Sequence, residues 1–107
     1  MLFSIFTSPY YTDIWSLINL INKKDEIVLL QNGILLAHKS ICTNYTNTIY
    51  RDNIYLNRIK EKGVNVFALK DDVIARGMTQ FISSHVIQIT YSEFVKLTAK
   101  HQHYFAW

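Results

Sequence analysis

The sequence predicts a single-domain α/β fold in which a parallel sheet of four to five strands is covered by helices on both faces. Short apolar runs alternate along the chain with segments of helical spacing, which is the order of elements in a parallel sheet. The runs are apolar at consecutive positions, as expected of strands that are buried on both faces. With 107 residues, the chain has room for one domain and one core, over residues 1–107.

Four apolar runs are the predicted strands, and residues typical of turns follow them. Ser8-Pro9 follows the first run and Asn32-Gly33 the second. The runs cover residues 2–6, 27–30, 64–69 and 86–89.

Helices are predicted between these runs. Residues 14, 17, 18 and 21 are apolar and line one face of a first helix, which Thr12 or Asp13 is placed to cap. Residues 34–38 begin a further helix. A short helix over residues 71–76 follows the third run, and Gly77 is placed to end it.

The last helix has the clearest local signal. Thr90 and Glu93 form a capping box, in which each side chain bonds the backbone amide of the other residue. Ile89 and Phe94 have the spacing of a hydrophobic staple. The chain is therefore predicted to change from strand to helix at Thr90.

Residues 40–62 interrupt the alternation. This segment is polar and rich in tyrosine, and a break of that length in a compact domain is typical of a surface excursion. Leu56 and Ile59 indicate one more helix within it.

Composition favours a protein that works with a partner. Charged residues make up 18 % of the chain and hydrophobic residues 50 %, whereas an ordinary soluble domain has about 25 % charged residues. The net charge is +3, and the lysines and arginines are spread along the chain. In nucleic-acid-binding proteins these residues are clustered on one face or segment. The single cysteine, Cys42, fits a reducing compartment, and no apolar run reaches the roughly 18 residues of a membrane helix, so we expect a cytoplasmic protein.

The sequence contains no complete catalytic, cofactor-binding or metal-binding motif. Its three glycines form neither a dinucleotide-binding turn nor a Walker loop. Asp71 and Asp72 are adjacent on a helix, where neighbouring side chains do not face each other, so we expect helix caps and no paired-carboxylate site. His101 and His103 form an H-x-H pair without the further ligands that a metal site needs.

Two features of the sequence are compatible either with a functional site or with an ordinary structural role. Cys42 follows His38 and Lys39, and positive charge on these neighbours would lower the pKa of its thiol and favour a persulfide site. The alternative is that Cys42 is a small core or surface residue without a chemical role. The aromatic residues at the end of the chain either pack on their own domain or form an interface with another subunit. These residues are Tyr104, Phe105 and Trp107.

Four segments together resemble one protein family, the TusB/DsrH proteins of the sulfur relay. The segments cover nearly the whole chain except residues 40–62, and they match in order and spacing. They are Thr7-Ser8-Pro9, Leu29-Leu30-Gln31-Asn32-Gly33, the stretch from Phe67 to Gly77, and Ile89 to Thr98 running on to Ala106-Trp107.

This resemblance implies a Rossmann-like fold of the DsrE type and a role in a larger assembly. In the family's assembly, a dimer of heterotrimers, a TusB-like subunit joins TusC-like and TusD-like sister subunits. The complex relays persulfide sulfur through a cysteine of the TusD-like subunit towards other relay proteins and a tRNA thiouridylase, for 2-thiouridine at the wobble position. The resemblance therefore implies a subunit without catalysis or cofactor of its own.

The chain departs from the family pattern at two places. Asn32 stands where the family usually has Asp. Residues 14–21 lack the cysteine that the DsrH-like branch carries in its first helix, and this absence favours the tRNA-thiolation branch. Two alternatives stay open. One is a sulfur carrier acting through Cys42; the other is an RNA-binding module, in which tyrosines between Tyr45 and Tyr55 stack on bases.

Overall fold

The computed structural model describes residues 1–42, 49, 50 and 52–107, and for residues 41, 42, 49 and 50 it describes the backbone alone. A 3-10 helical segment, Gln31–Ala37, follows the second strand. In chain order the other elements are β1 (Leu2–Ile5), α1 (Ile14–Leu20), β2 (Glu26–Leu29), β3 (Ile41–Cys42), β4 (Ile49–Tyr50), α2 (Ile54–Glu61), β5 (Asn65–Leu69), α3 (Lys70–Ala75), β6 (Val86–Ile89), α4 (Tyr91–Lys100) and β7 (Tyr104–Ala106).

Five strands form one parallel sheet in the order β6-β5-β2-β1-β7. This confirms the predicted α/β fold with a parallel sheet. The four predicted strands correspond to β1, β2, β5 and β6, and β7 is the fifth. β3 and β4 pair separately, as a short antiparallel ladder.

The strand order places the helices unequally on the two faces. A crossover between parallel strands is right-handed in nearly all proteins, so connections that advance in one direction lie on one face and a connection that returns lies on the other. From β1 through β2 and β5 to β6 the chain advances, and α1, α2 and α3 share a core cluster with one face. From β6 the chain returns to β7, and α4 packs on the opposite face.

Each face has its own apolar cluster, because side chains alternate along a strand. Phe3, Ile27 and Val66 point towards α1 and α2. The smaller cluster beneath α4 consists of Leu2, Val28, Leu30, Ile89 and Leu97, with Phe6, Phe67, Leu69 and Phe94 packed against it.

Two local predictions need correction. The segment that was expected to begin a helix at residues 34–38 is instead 3-10, running over Gln31–Ala37. It passes so close to β1 that a Cβ at Gly33 would lie 1.9 Å from the carbonyl oxygen of Ile5, and a 3-10 turn is narrower than an α-helical one. In α3, Leu69 precedes the first turn and no side chain caps it, so the prediction that Asp71 and Asp72 are helix caps is wrong.

Other helix ends follow their predicted signals. Asp13, one of the two candidates, caps α1 by accepting a hydrogen bond of 3.1 Å from the amide of Ser16. The capping box of Thr90 and Glu93 is present at α4. Gly77 follows α3 with a φ of +63°, which glycine adopts without strain.

Part of the segment at residues 40–62 belongs to the core. α2 is the helix indicated by Leu56 and Ile59, which are 1 % and 0 % exposed. Its first turn is capped by Asn53, whose side chain also donates to the carbonyls of Leu36 and His38 at 2.6 and 2.8 Å. Residues 43–48 and 51 lie outside the described residues.

Candidate functional site

The carboxyl edge of the sheet is the first place to look for a site, because ligands of open parallel sheets bind where the strands end and the loops converge. The loops here follow β1, β2, β5 and β6.

A close backbone approach fills the space between the loops after β1 and β2. The amide of Leu30 donates to the carbonyl of Ile5 at 3.0 Å, and the amide of Gly33 donates to the carbonyl of Leu30 at 2.9 Å. Since even one added methyl at Gly33 would collide with Ile5, no room is left for a phosphate or substrate between these backbones.

A polar network joins the loops after β2 and β5. Asp72 accepts a hydrogen bond of 2.8 Å from the amide of Gln31, whose φ of +50° orients that amide. Arg76 lies 3.8 Å from Asp72 in an ion pair and donates to the side-chain oxygen of Asn32 at 3.4 Å. The carboxylate of Asp72, which was predicted to cap a helix, therefore ties two loops together. Asn32, one of the two departures from the family pattern, takes part in the same network.

The loop after β1 also bonds within itself. The hydroxyls of Thr7 and Thr12 are in contact, and the hydroxyl of Ser8 accepts from the amide of Tyr10 at 3.2 Å. At the same edge the indole of Trp107 donates to the carbonyl of Asp13 at 3.2 Å. Most of the polar groups named at this edge thus bond within the chain, whereas the Nε of Arg76 is buried without a hydrogen-bond partner among the described residues.

The opposite, amino edge holds a buried charge cluster that the sequence analysis missed. Glu26 is 6 % exposed and accepts hydrogen bonds from Lys100 at 2.7 Å, His101 at 2.8 Å and Asn65 at 3.3 Å. Burial by itself raises the pKa of Glu26, but the hydrogen bonds from Lys100, His101 and Asn65 together outweigh burial, so the pKa lies below its usual value of 4.5. The partners are 39 to 75 positions away in sequence, which is why no local pattern reveals the cluster.

This cluster explains His101 without a metal. Its ring lies against Glu26, while His103 is exposed before β7. Within the described residues there is no group of three or more His, Cys, Asp or Glu side chains that could hold a metal ion.

The structure places the remaining candidates as follows. Cys42 ends β3, where its backbone pairs with Ile49, and its side chain is outside the described part. Tyr45 lies outside the described residues altogether. Tyr55 is 8 % exposed and its ring packs 4.9 Å from that of Trp15.

The terminal aromatics fall into two groups. Tyr104 and Phe105 are each 49 % exposed on β7, which is an edge strand. Trp107 is half-buried against the core cluster of α1, and its amide donates to the carbonyl of Ser4 at 2.8 Å. In the described chain, no helix is both long enough and apolar enough to span a membrane.

The fold and its edges define a class of protein: a small parallel α/β domain in which the loops after β1, β2 and β5 bond within the chain at the carboxyl edge of the sheet. Comparison with known proteins then identifies the family. The model of the DsrH like protein family matches residues 7–104. Proteins named TusB from Escherichia coli O81 (strain ED1a) and Shigella boydii serotype 18 (strain CDC 3083-94 / BS512) are each 37 % identical over 107 residues, covering both chains in full. The chain therefore belongs to the DsrH/TusB family, which confirms the resemblance read from the sequence.

Solved structures share the fold. The solution structure of Tm0979 from Thermotoga maritima is 28 % identical, with a TM-score of 0.60 and 95 % of each chain covered. The crystal structure of the ychN protein from E. coli has a TM-score of 0.72 at 13 % identity, covering 99 % of this chain and 97 % of the other. At that identity the second similarity concerns the fold alone.

Proposed function

We propose that this protein is a non-catalytic structural subunit of a TusBCD-type complex, which relays persulfide sulfur for 2-thiolation of the tRNA wobble uridine. In this proposal it assembles with TusC-like and TusD-like sister subunits into a dimer of heterotrimers. The relay cysteine is on the TusD-like subunit, and the complex works in the cytoplasm. The full-length similarity to proteins named TusB supports this assignment.

The observation that carries the proposal is the internally bonded carboxyl edge. Asp72, Arg76 and Asn32 bond to the loops of their own chain, and Gly33 packs against Ile5. A subunit that holds an assembly together needs no open ligand edge, whereas an enzyme of this fold does.

Exposed aromatic residues on β7 support the assembly role. Tyr104 and Phe105 each leave about half of their surface in solvent, and tyrosine is among the residues enriched at interfaces. β7 also ends the sheet, so among the described residues no strand lies beside its outer backbone groups. We propose Tyr104, Phe105 and Trp107 as part of a contact with a sister subunit, Trp107 by fixing the end of β7.

Co-expression with the two sister subunits tests the proposal. The chain should purify with both of them, and Tyr104→Glu should weaken that association by about tenfold or more, as expected for an interface anchor. Tyr11→Glu is the matched control, because Tyr11 is 90 % exposed in the loop before α1 and should tolerate the charge. If the chain stays a separate species in the presence of both sister subunits, the proposal is wrong.

Substitution of Cys42 distinguishes this function from that of a sulfur carrier. Cys42→Ser should leave the 2-thiouridine content of tRNA unchanged, measured by mass spectrometry of digested tRNA in cells that depend on this chain. Loss of 2-thiouridine with a normally assembled complex would instead favour a relay role for Cys42.

Direct RNA binding is the other alternative. Of the tyrosines proposed to stack on bases, Tyr55 is buried against Trp15. An electrostatic RNA site would lose affinity for tRNA steeply as salt rises. We expect no saturable tRNA binding by the isolated chain at physiological salt, in a filter-binding assay.

A further inference from the structure

The fold gathers basic residues that are far apart in the sequence at the amino edge of the sheet. Lys23 and Lys24 precede β2, and Lys60 and Lys62 precede β5. His85 precedes β6. These three strands are parallel neighbours, so their amino ends lie within roughly 10 Å of one another, because adjacent strands are about 4.8 Å apart. We refer to the four lysines as the lysine cluster, which His85 adjoins.

Contacts between the three segments connect the cluster. The side chain of Lys23 passes Gly63, where its Cγ would lie 3.6 Å from an added Cβ. The ammonium group of Lys62 donates to backbone carbonyls at the end of α1, which Lys23 follows. The Nζ of Lys60 lies 3.4 Å from the Nε2 of His85. The lysines of α2 and of the turn after it therefore contact both neighbouring segments.

The carboxylates near the cluster are engaged with other groups. Asp25 pairs with the amino group at the start of the chain at 3.1 Å, and Glu61 pairs with Arg58 at 3.5 Å. Glu26 has the three partners described above. Among the described residues, no carboxylate forms an ion pair with a lysine of the cluster. Its positive charge is therefore available to an anion.

A cavity of about 370 Å³ opens beside Lys60 and His85. Ser84 supplies a hydroxyl to its lining, which is otherwise largely apolar, and electrostatic attraction is stronger beside apolar walls than in water. A neighbouring cavity also reaches His85, but Asp52 and Lys39 both line it and their charges oppose each other. The first cavity is therefore the better place for an anion.

The imidazole of His85 has an unsatisfied hydrogen-bond donor. A lysine ammonium only donates, so the Nε2 of His85 accepts from Lys60 and the ring proton is on Nδ1. Nδ1 is buried without a hydrogen-bond partner among the described residues. A buried donor without an acceptor is costly. The tautomer with its proton on Nε2 removes this unsatisfied N–H, and it needs an acceptor beside Lys60.

We propose that the cavity binds the terminal phosphate of a phosphate monoester, with Lys60 and His85 as direct donors. The phosphate replaces the contact between these two side chains: it accepts from the ammonium group and from Nε2, to which the proton moves from Nδ1. A monoester is favoured over a phosphodiester, because its second negative charge meets several cations and no ion-paired lysine. The inference is independent of the proposed function, since assembly with sister subunits needs no such ligand.

Titration of the full-length chain with inorganic phosphate tests the inference. Amide and imidazole resonances are followed by NMR at constant ionic strength, at about pH 7.5, where a phosphate monoester carries nearly two negative charges. The resonances of Lys60, Ser84 and His85 should shift saturably in the millimolar range, and the ring signals of His85 should change to those of the Nε2–H tautomer. Glycerol phosphate should bind in the same way, and dimethyl phosphate about tenfold more weakly or less.

Variants separate this site from general attraction to a basic surface. Lys60→Met and His85→Phe should each weaken phosphate binding by about tenfold or more, whereas Lys60→Arg should retain it. Lys60 is exposed, so its variants should fold even if His85→Phe does not, which circular dichroism checks. Lys96→Met is the matched control, because it removes the same charge from an exposed position of α4 and should bind as the wild type does.

Three results would overturn the inference. The first is a set of shifts that sodium chloride reproduces at the same ionic strength. The second is a Lys60→Met chain that binds phosphate as tightly as the wild type. The third is equal affinity for dimethyl phosphate and glycerol phosphate, which would exclude recognition of a terminal phosphate.

Discussion

Glu26 is a carboxylate that is 6 % exposed, an environment that its residue type would not predict. Carboxylates are almost never fully buried without partners, and this one lies at the start of β2 among three donors. Lys100 and His101 come from the end of α4. The contact therefore anchors the last helix to the middle of the sheet.

Replacing Glu26 with Gln should destabilise the fold at neutral pH. Hydrogen bonds to a charged group contribute about 1.5–3 kcal/mol, and Gln removes the charge while keeping the shape. We expect a loss of about 1–3 kcal/mol in the free energy of unfolding, measured by urea denaturation. Glu61→Gln is the control, because its ion pair with Arg58 is about two-thirds exposed and should contribute less than about 0.5 kcal/mol.

The effect of Glu26 should depend on pH in one direction. The pKa of Glu26 is lower in the folded chain than its usual 4.5, so its stabilisation is present above about pH 4.5 and disappears as the pH falls through the folded-state pKa. The stability difference between the wild type and Glu26→Gln should shrink in acid. A difference that grows on acidification would contradict the assigned environment.

Gly33 is the residue where the sequence indicated a turn and the structure shows a steric requirement. Gly33→Ala places a methyl against the carbonyl of Ile5, so it should cost more than about 2 kcal/mol or abolish soluble expression. Gly77→Ala has free space and should cost only about 1–2 kcal/mol, because of its positive φ. Equal costs for the two, in thermal or urea unfolding, would mean that Gly33 has more room than described.

Among the elements, those with local signals were predictable and those set by distant contacts were not. The capping box specifies the start of α4 within four residues, so the sequence located it. Asp72 looked like a cap because it begins a short helix, but its partner is the amide of Gln31, 41 positions away. Strand β7 was not predicted either, since its three residues stand in a short aromatic stretch at the end of the sequence and their pairing with β1 depends on the return of the chain through α4.

We expect Trp107 to stabilise the position of β7 within its own chain. Its indole bonds to Asp13 and packs on the core cluster of α1, so Trp107→Ala should cost about 1–3 kcal/mol in unfolding free energy. Trp107→Phe should restore most of that by keeping the packing. A Trp107→Ala chain as stable as the wild type would show that Trp107 contributes to assembly alone.

At the scale of the whole molecule, the strand order explains both the fold and its uncovered surfaces. Three crossovers in one direction put three helices on one face, and the single return puts α4 on the other, where it is the one helix that the described residues supply. The sequence predicted the α/β class and the family. It could not predict which edge would be filled, because the contacts of Gly33, Asp72 and Arg76 join loops that are far apart in sequence.

The mass of the complex formed with the TusC-like and TusD-like subunits tests the central claim most directly. Native mass spectrometry of the co-expressed proteins should give one species with two copies of each of the three chains. A chain that is recovered apart from both sister subunits, while those two associate with each other, would contradict the account.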